Sequence, residues 1–101
     1  MKREIVFASV ARLEFDKAIS WYHDQKPGLG DEFEAEVNRV IEEIQKDSER
    51  FRFVGPTTRK ARLLRRFRRY SIYFYVQPEH IGIVSVFDAA RNPEELRQRL
   101  K

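Results

Sequence analysis

The sequence predicts one α+β domain over residues 1–101: an N-terminal strand, a helical hairpin, a three-stranded antiparallel meander and a short C-terminal helix. Three observations predict it. Residues 31–47 set Phe33, Val37, Val40, Ile41 and Ile44 on one stripe at helical spacing, with Glu32, Glu34, Glu36, Glu42 and Glu43 on the other face. Residues 70–77 alternate instead, Tyr70, Ile72, Phe74 and Val76 against Ser71, Tyr73 and Tyr75, which is the period of a strand. The length of 101 residues, 42% hydrophobic and 36% charged, supplies one core under a heavily charged surface. Aromatics at 13% argue against a disordered chain. No apolar run approaches the ~20 residues of a membrane span. There are no cysteines, hence no disulfide framework and no thiolate nucleophile or metal ligand. No signal-peptide pattern precedes the first strand, so the expected compartment is the cytoplasm.

In chain order, residues 3–8 are β-branched and aromatic without a breaker and read as a strand. Ser9 is the expected N-cap of a helix over about 10–26, in which Ala11, Phe15, Ala18, Ile19 and Tyr22 share a face and Trp21 flanks it. Lys26-Pro27-Gly28-Leu29-Gly30 ends that helix, and the second helix returns antiparallel to it. Residues 48–58 read as a loop, 60–67 as a strand, and 77–80 as a hairpin loop containing His80. Residues 81–87, apolar on both faces, read as a central strand. Asn92-Pro93-Glu94-Glu95 starts a helix over 93–100, with Asn as cap and Pro at its first position. The helical hairpin buries its stripe on one sheet face, which leaves the other face open and rich in Arg and Tyr. Phe7, Phe15, Phe33, Phe74 and Phe87 are expected in the core.

The charge is uneven. Residues 1–50 carry 8 Lys/Arg against 12 Asp/Glu, and residues 51–101 carry 12 against 4. Within 52–69 stand eight bases and no acid: Arg52, Arg59, Lys60, Arg62, Arg65, Arg66, Arg68 and Arg69. Seven are arginine, the side chain suited to bidentate contact with carboxylate or phosphate, so an anionic partner is expected. If residues 60–67 form a regular strand, Arg65 shares a face with Leu63 and Phe67 while Arg62 and Arg66 point the other way. Gly28-Leu29-Gly30 lies between helices and is no phosphate loop. His23 and Asp24 lack further ligands for a metal, so no metal or cofactor is expected.

Several segments, taken in order, carry a resemblance. Ala18-Ile19-Ser20-Trp21-Tyr22 is followed by Pro27-Gly28-Leu29-Gly30-Asp31-Glu32-Phe33. Arg62-Leu63-Leu64-Arg65-Arg66-Phe67 precedes Tyr70-Ser71-Ile72-Tyr73-Phe74-Tyr75-Val76, and Ile81 to Phe87 runs into Asp88-Ala89-Ala90-Arg91-Asn92-Pro93. Together they resemble toxins of the RelE/ParE superfamily, the stable partners of type II toxin–antitoxin pairs, in the plasmid-stabilisation, ParE-like branch. Two departures stand out. A Phe-Pro-Tyr turn common in the family reads Phe67-Arg68-Arg69-Tyr70 here, and a terminal His-x-x-Arg reads Asp88-Ala89-Ala90-Arg91.

The resemblance implies a cognate antitoxin that wraps the toxin in a hetero-oligomer, and one of two targets. ParE-like members bind DNA gyrase, whereas RelE-like members cleave mRNA in the ribosome. RNA cleavage needs a base for the 2′-OH, an acid for the leaving oxygen and cations around the phosphorane. Arg62, Arg65, Tyr73 and Arg91 are the catalytic candidates. Arg59, Lys60, Arg62, Arg65, Arg66, Arg68, Arg69, Tyr75 and Arg91 are candidates for holding the target or RNA. Trp21, Arg66 and Tyr73 are candidates for the antitoxin contact. The base is the gap: His23 and His80 read as solvated, and Asp88 is either a base or the ion-pair partner of Arg91 or a strand arginine. That gap favours gyrase, with a ribosome-dependent endonuclease or a non-toxic antitoxin-binding relative as alternatives.

Overall fold

The computed structural model describes residues 2–100; Met1 and Lys101, the ends of the predicted domain, lie outside the described residues. The elements are β1 (Glu4–Phe7), α1 (Ser9–Gln25), α2 (Leu29–Lys46), β2 (Arg59–Arg62), β3 (Tyr70–Val76), β4 (His80–Asp88) and α3 (Pro93–Arg99). The sheet order is β1-β4-β3-β2. The β2–β3–β4 meander is antiparallel, and β1 joins parallel to β4, with Ile5 opposite Ile81 and Phe7 opposite Ile83. That parallel pairing follows from connectivity, because the helical hairpin and the meander both lie between the two strands.

The core forms where the hairpin's stripes meet the sheet. Phe15 and Ala18 of α1 and Phe33, Val37 and Ile44 of α2 are buried against Ala61, Leu63, Ile72, Phe74, Ile83 and Val86. The rings of Tyr22, Phe33, Phe67 and Tyr70 knot one end, with centroids 5.0–5.9 Å apart. Of the expected core phenylalanines, Phe15, Phe33 and Phe74 lie in this cluster, Phe7 packs at its border, and Phe87 belongs to a smaller cluster.

Four local expectations are corrected. Ser9 is the first helical residue and Ala8 the cap; the Ala8 amide still bonds Ile83 O at 2.9 Å as the last rung of the sheet, so the chain passes straight from strand to helix. The second helix begins at Leu29, two residues early, because Gly28 takes a left-handed φ of 88° and reverses the chain at once. His80 is the first residue of β4 and not part of a loop. Most consequentially, the 60–67 strand stops at Arg62. Leu63 keeps one sheet bond, its amide to Tyr70 O at 3.1 Å, but the Leu64 amide is taken by Glu36 Oε2 at 2.8 Å. Arg65 then enters the left-handed region at φ 56°, and a 3-10 turn over Arg65–Phe67 drops Phe67 into the core. Arg65 therefore sits on a turn and not on either strand face.

The expectation of an open second face is also corrected. Tyr73 and Phe87 on that face are buried with Leu96 of α3, and Val54, Val84 and Leu100 pack around them. The α3 start is as expected: Asn92 accepts from the Glu94 amide at 3.0 Å, with Pro93 at the first position.

Candidate binding surface

The eight-base run does not form one patch. Arg52, Lys60 and Arg62 occupy the first place. Because Ala61 and Leu63 point into the core, Lys60 and Arg62 stand on the opposite face of β2. The Lys60 ammonium lies 5.8 Å from the Tyr73 ring centroid. Burial, then repulsion from Arg52 and Arg62, pushes its pKa below the usual lysine value. Among the described residues none of the three is ion-paired. Tyr73, expected to face outward, is only 8% exposed, and burial raises its phenol pKa. Tyr75 beside it is half-buried and lies flat on Gly82, where a Cβ would come within 2.2 Å of the ring; its Oη stands 3.4 Å from His80 Nε2.

The second place is the turn after β2. Arg65, Arg66 and Arg68 are exposed there beside α2. Arg66 reaches Glu32 at 3.5 Å, and Arg68 donates to Arg65 O at 3.3 Å. Glu36, which fixes Leu64, is held below the usual carboxylate range first by hydrogen bonding from Arg39 and further by the Leu64 amide, against the effect of burial.

The remaining two bases are bound into the fold. Arg59 donates to Phe51 O at 2.7 Å and Glu49 O at 3.2 Å and stacks 3.9 Å from the Phe53 centroid. It brackets the 49–53 segment. Arg69 pairs with Asp88 at 2.8 Å, so the Asp88 carboxylate is held by Arg69 and not by Arg91; it also accepts the Ala90 amide at 2.9 Å.

Arg91 belongs to a third arrangement, centred on a residue that the sequence reading passed over. Glu14 of α1 accepts from Ser85 Oγ at 2.9 Å, the Val86 amide at 3.2 Å, Arg99 at 2.8 Å and Arg91 at 2.5 Å. β1 covers β4 only as far as Ile83, so the next stretch of that edge is open. Glu14 takes its Val86 amide, and Arg99 donates to its Val84 carbonyl. Burial pushes the Glu14 carboxyl up, but the hydrogen bonds from Arg99, Arg91 and Ser85 outweigh it and hold it below its ordinary value. One signal could have found it: position 14 is three after Ala11 and four before Ala18, an acid on the shoulder of the apolar stripe. Glu14, Trp21, Tyr70, Asp88 and Arg91 line a groove of about 220 Å³. Trp21, 47% exposed, forms its rim, with Arg69 5.8 Å from its ring.

Arg62, Arg65 and Arg91 thus occupy three locations: a strand face, a turn cleft and the Glu14 groove. The second helix's acidic face is also partly engaged, since Glu36 and Glu43 bind Arg39 and Glu43 binds Arg50. No helix among the described residues is long and apolar enough to cross a membrane.

No protein-family model matches the chain, and no curated protein matches it. Among solved structures it is similar to the chromosomal ParDE toxin–antitoxin (TA) system from P. aeruginosa, with a TM-score of 0.72 and 15% sequence identity, over 86% of this chain and 96% of that one. The order of elements, the mixed sheet and this match show that the chain shares the fold of that ParDE-system chain.

Proposed function

We propose that the protein is the toxin of a type II toxin–antitoxin pair, held inactive in the cytoplasm by a cognate antitoxin in a hetero-oligomer, and that it arrests growth by binding DNA gyrase. The observation that carries the first part is the fold shared with the ParDE system across nearly all of both chains. The gyrase reading is supported by the state of the titratable groups. Asp88 is occupied by Arg69 and the Ala90 amide, and the His80 ring packs edge-on against Tyr75. Neither stands as a free base among the cations of β2.

A second reading, a ribosome-dependent endoribonuclease, is favoured by one observation: Arg52, Lys60 and Arg62 crowd together without a carboxylate partner among the described residues, and burial, then repulsion from the two arginines, pushes the Lys60 pKa down. Such a cluster suits a phosphate. Inducible expression in a bacterial host without antitoxin separates the readings. Growth arrest with intact mRNA and an induced DNA-damage response is the expected result. Arrest with mRNA cut only during translation moves the assignment to the nuclease, and no arrest removes the toxin reading.

A further inference from the structure

The turn after β2 faces the exposed side of α2 across a cleft of about 340 Å³, lined by Glu32, Ala35, Glu36, Leu64, Arg65 and Arg66. Three features of it bear on what it could hold. The Leu64 side chain is 52% exposed at the cleft although its neighbours Leu63 and Phe67 are buried. Arg65 holds a left-handed backbone at φ 56° where glycine would rest without strain. And among the described residues the Arg65 guanidinium makes no ion pair, while Arg66 has only the exposed 3.5 Å contact with Glu32. The fold holds the cleft open from beneath: Arg39 anchors Glu36, and Glu36 fixes the Leu64 amide.

We infer that this cleft docks an acidic peptide segment carrying one apolar side chain, which seats against Leu64 while its carboxylates meet Arg65 and Arg66. The chemistry of the lining selects that occupant. Apolar atoms of Leu64 and Ala35 desolvate an aliphatic anchor. The two guanidiniums offer planar, bidentate donors to carboxylates. Glu32 stands at the cleft beside Arg66 as an acceptor, and a peptide has amide N–H groups to satisfy it. A phosphodiester chain repeats negative charge and brings no amide donor to Glu32. No aromatic face is offered to a base either, because Phe67 is 5% exposed. The inference goes beyond the toxin reading and stands without it.

The test is an amide-resolved NMR titration of the isotope-labelled full chain with the capped peptide Asp-Glu-Leu-Glu-Asp. Its neutral analogue Asn-Gln-Leu-Gln-Asn and an oligouridylate serve as competitors. Shifts are expected at Ala35, Leu64, Arg65 and Arg66, with about tenfold weaker binding of the neutral peptide. Leu64→Ser and Arg66→Ala should each weaken the acidic peptide several-fold. Arg65→Gly should weaken it about tenfold while leaving the melting temperature unchanged or higher, because it removes strain from the turn. Four outcomes overturn the assignment: shifts confined to Arg52, Lys60 and Arg62; equal binding of the neutral peptide; unchanged affinity in Leu64→Ser; or tighter seating of the oligouridylate in the cleft. The titration reads the cleft whether or not the protein arrests growth.

Discussion

Two arginine-rich regions of this molecule do opposite things. Around Glu14, Arg91 and Arg99 converge on one sheltered carboxylate and close an open sheet edge. At the far edge of the sheet, Lys60 and Arg62 of β2 and Arg52 beside it crowd together, and among the described residues none of them pairs with an acid. The first region spends its charge inside the fold, tying α1, β4 and α3 together. In the second, Arg62 donates to Arg68 O at 3.0 Å, but among the described residues no carboxylate neutralises the three cations. A count of bases cannot separate the two; what separates them is where the acids fall. Glu14 comes from a distant part of the chain, whereas no acid among the described residues pairs with Lys60.

The largest effect should come from removing the hub. Glu14→Ala leaves the Ser85 hydroxyl and the Val86 amide without this acceptor, and leaves Arg91 with Glu95 alone and Arg99 with Val84 O alone, in a site where the Glu14 side chain is 9% exposed. Breaking such a sheltered network costs about 3 kcal/mol, and chemical denaturation should register it. Glu14→Gln, which keeps the acceptor for Ser85 and Val86 but not the charge, should recover part of the loss. A variant as stable as the parent would remove Glu14 from its structural role.

The same carboxylate sets an acid limit. Its folded pKa lies below its ordinary value, so its contribution is complete above the unfolded pKa and lost as pH falls through the folded one. The stability gap between the parent and Glu14→Ala should therefore be widest above about pH 5 and narrow below about pH 4. A gap independent of pH would mean that packing, not charge, holds α3.

Arg59 tests the division within the basic run itself. Arg59→Ala deprives Phe51 O and Glu49 O of their donor and uncovers the Phe53 ring, a loss of about 1–2 kcal/mol. Arg52→Ala, seven residues away, should leave thermal stability unchanged. Equal effects would dissolve the distinction between bound and free cations.

That distinction is where the sequence stopped being readable. Strong periodicity exposed α2 and β3, because Phe33 to Ile44 keep one helical stripe buried, while Tyr70, Ile72, Phe74 and Val76 pack on the main core and Tyr73 packs on the other side of the sheet. The Asn92-Pro93 start was readable because a cap is a local device. The 60–67 segment misled because its alternation of Leu and Arg fits a strand, yet Glu36, 28 residues away in sequence, captures the Leu64 amide. Tyr73 misled for a related reason: its alternation correctly put it on the outer face, but Val54 and Leu96 come from other segments to cover it. The candidate site suffered most, since ion pairs such as Glu14–Arg99 span 85 positions and leave no periodic trace.

The smallest expected effect sharpens the comparison furthest. Because burial and the neighbouring arginines depress the Lys60 pKa, charging Lys60 costs stability at neutral pH, and that cost is relieved as pH rises through the depressed pKa towards the ordinary one. Lys60→Gln should then raise stability by a few tenths of a kcal/mol after solvent screening, a gain that shrinks as salt is added. A bound oxyanion would relieve the same repulsion, so inorganic phosphate should raise the melting temperature of the parent more than that of Lys60→Gln. If phosphate stabilises both equally, the three cations do not act as one site. If Lys60→Gln instead lowers stability at every salt concentration, the lysine stem packed over Tyr73 matters more than its charge, and this strand face is held together in the way Glu14 holds the other.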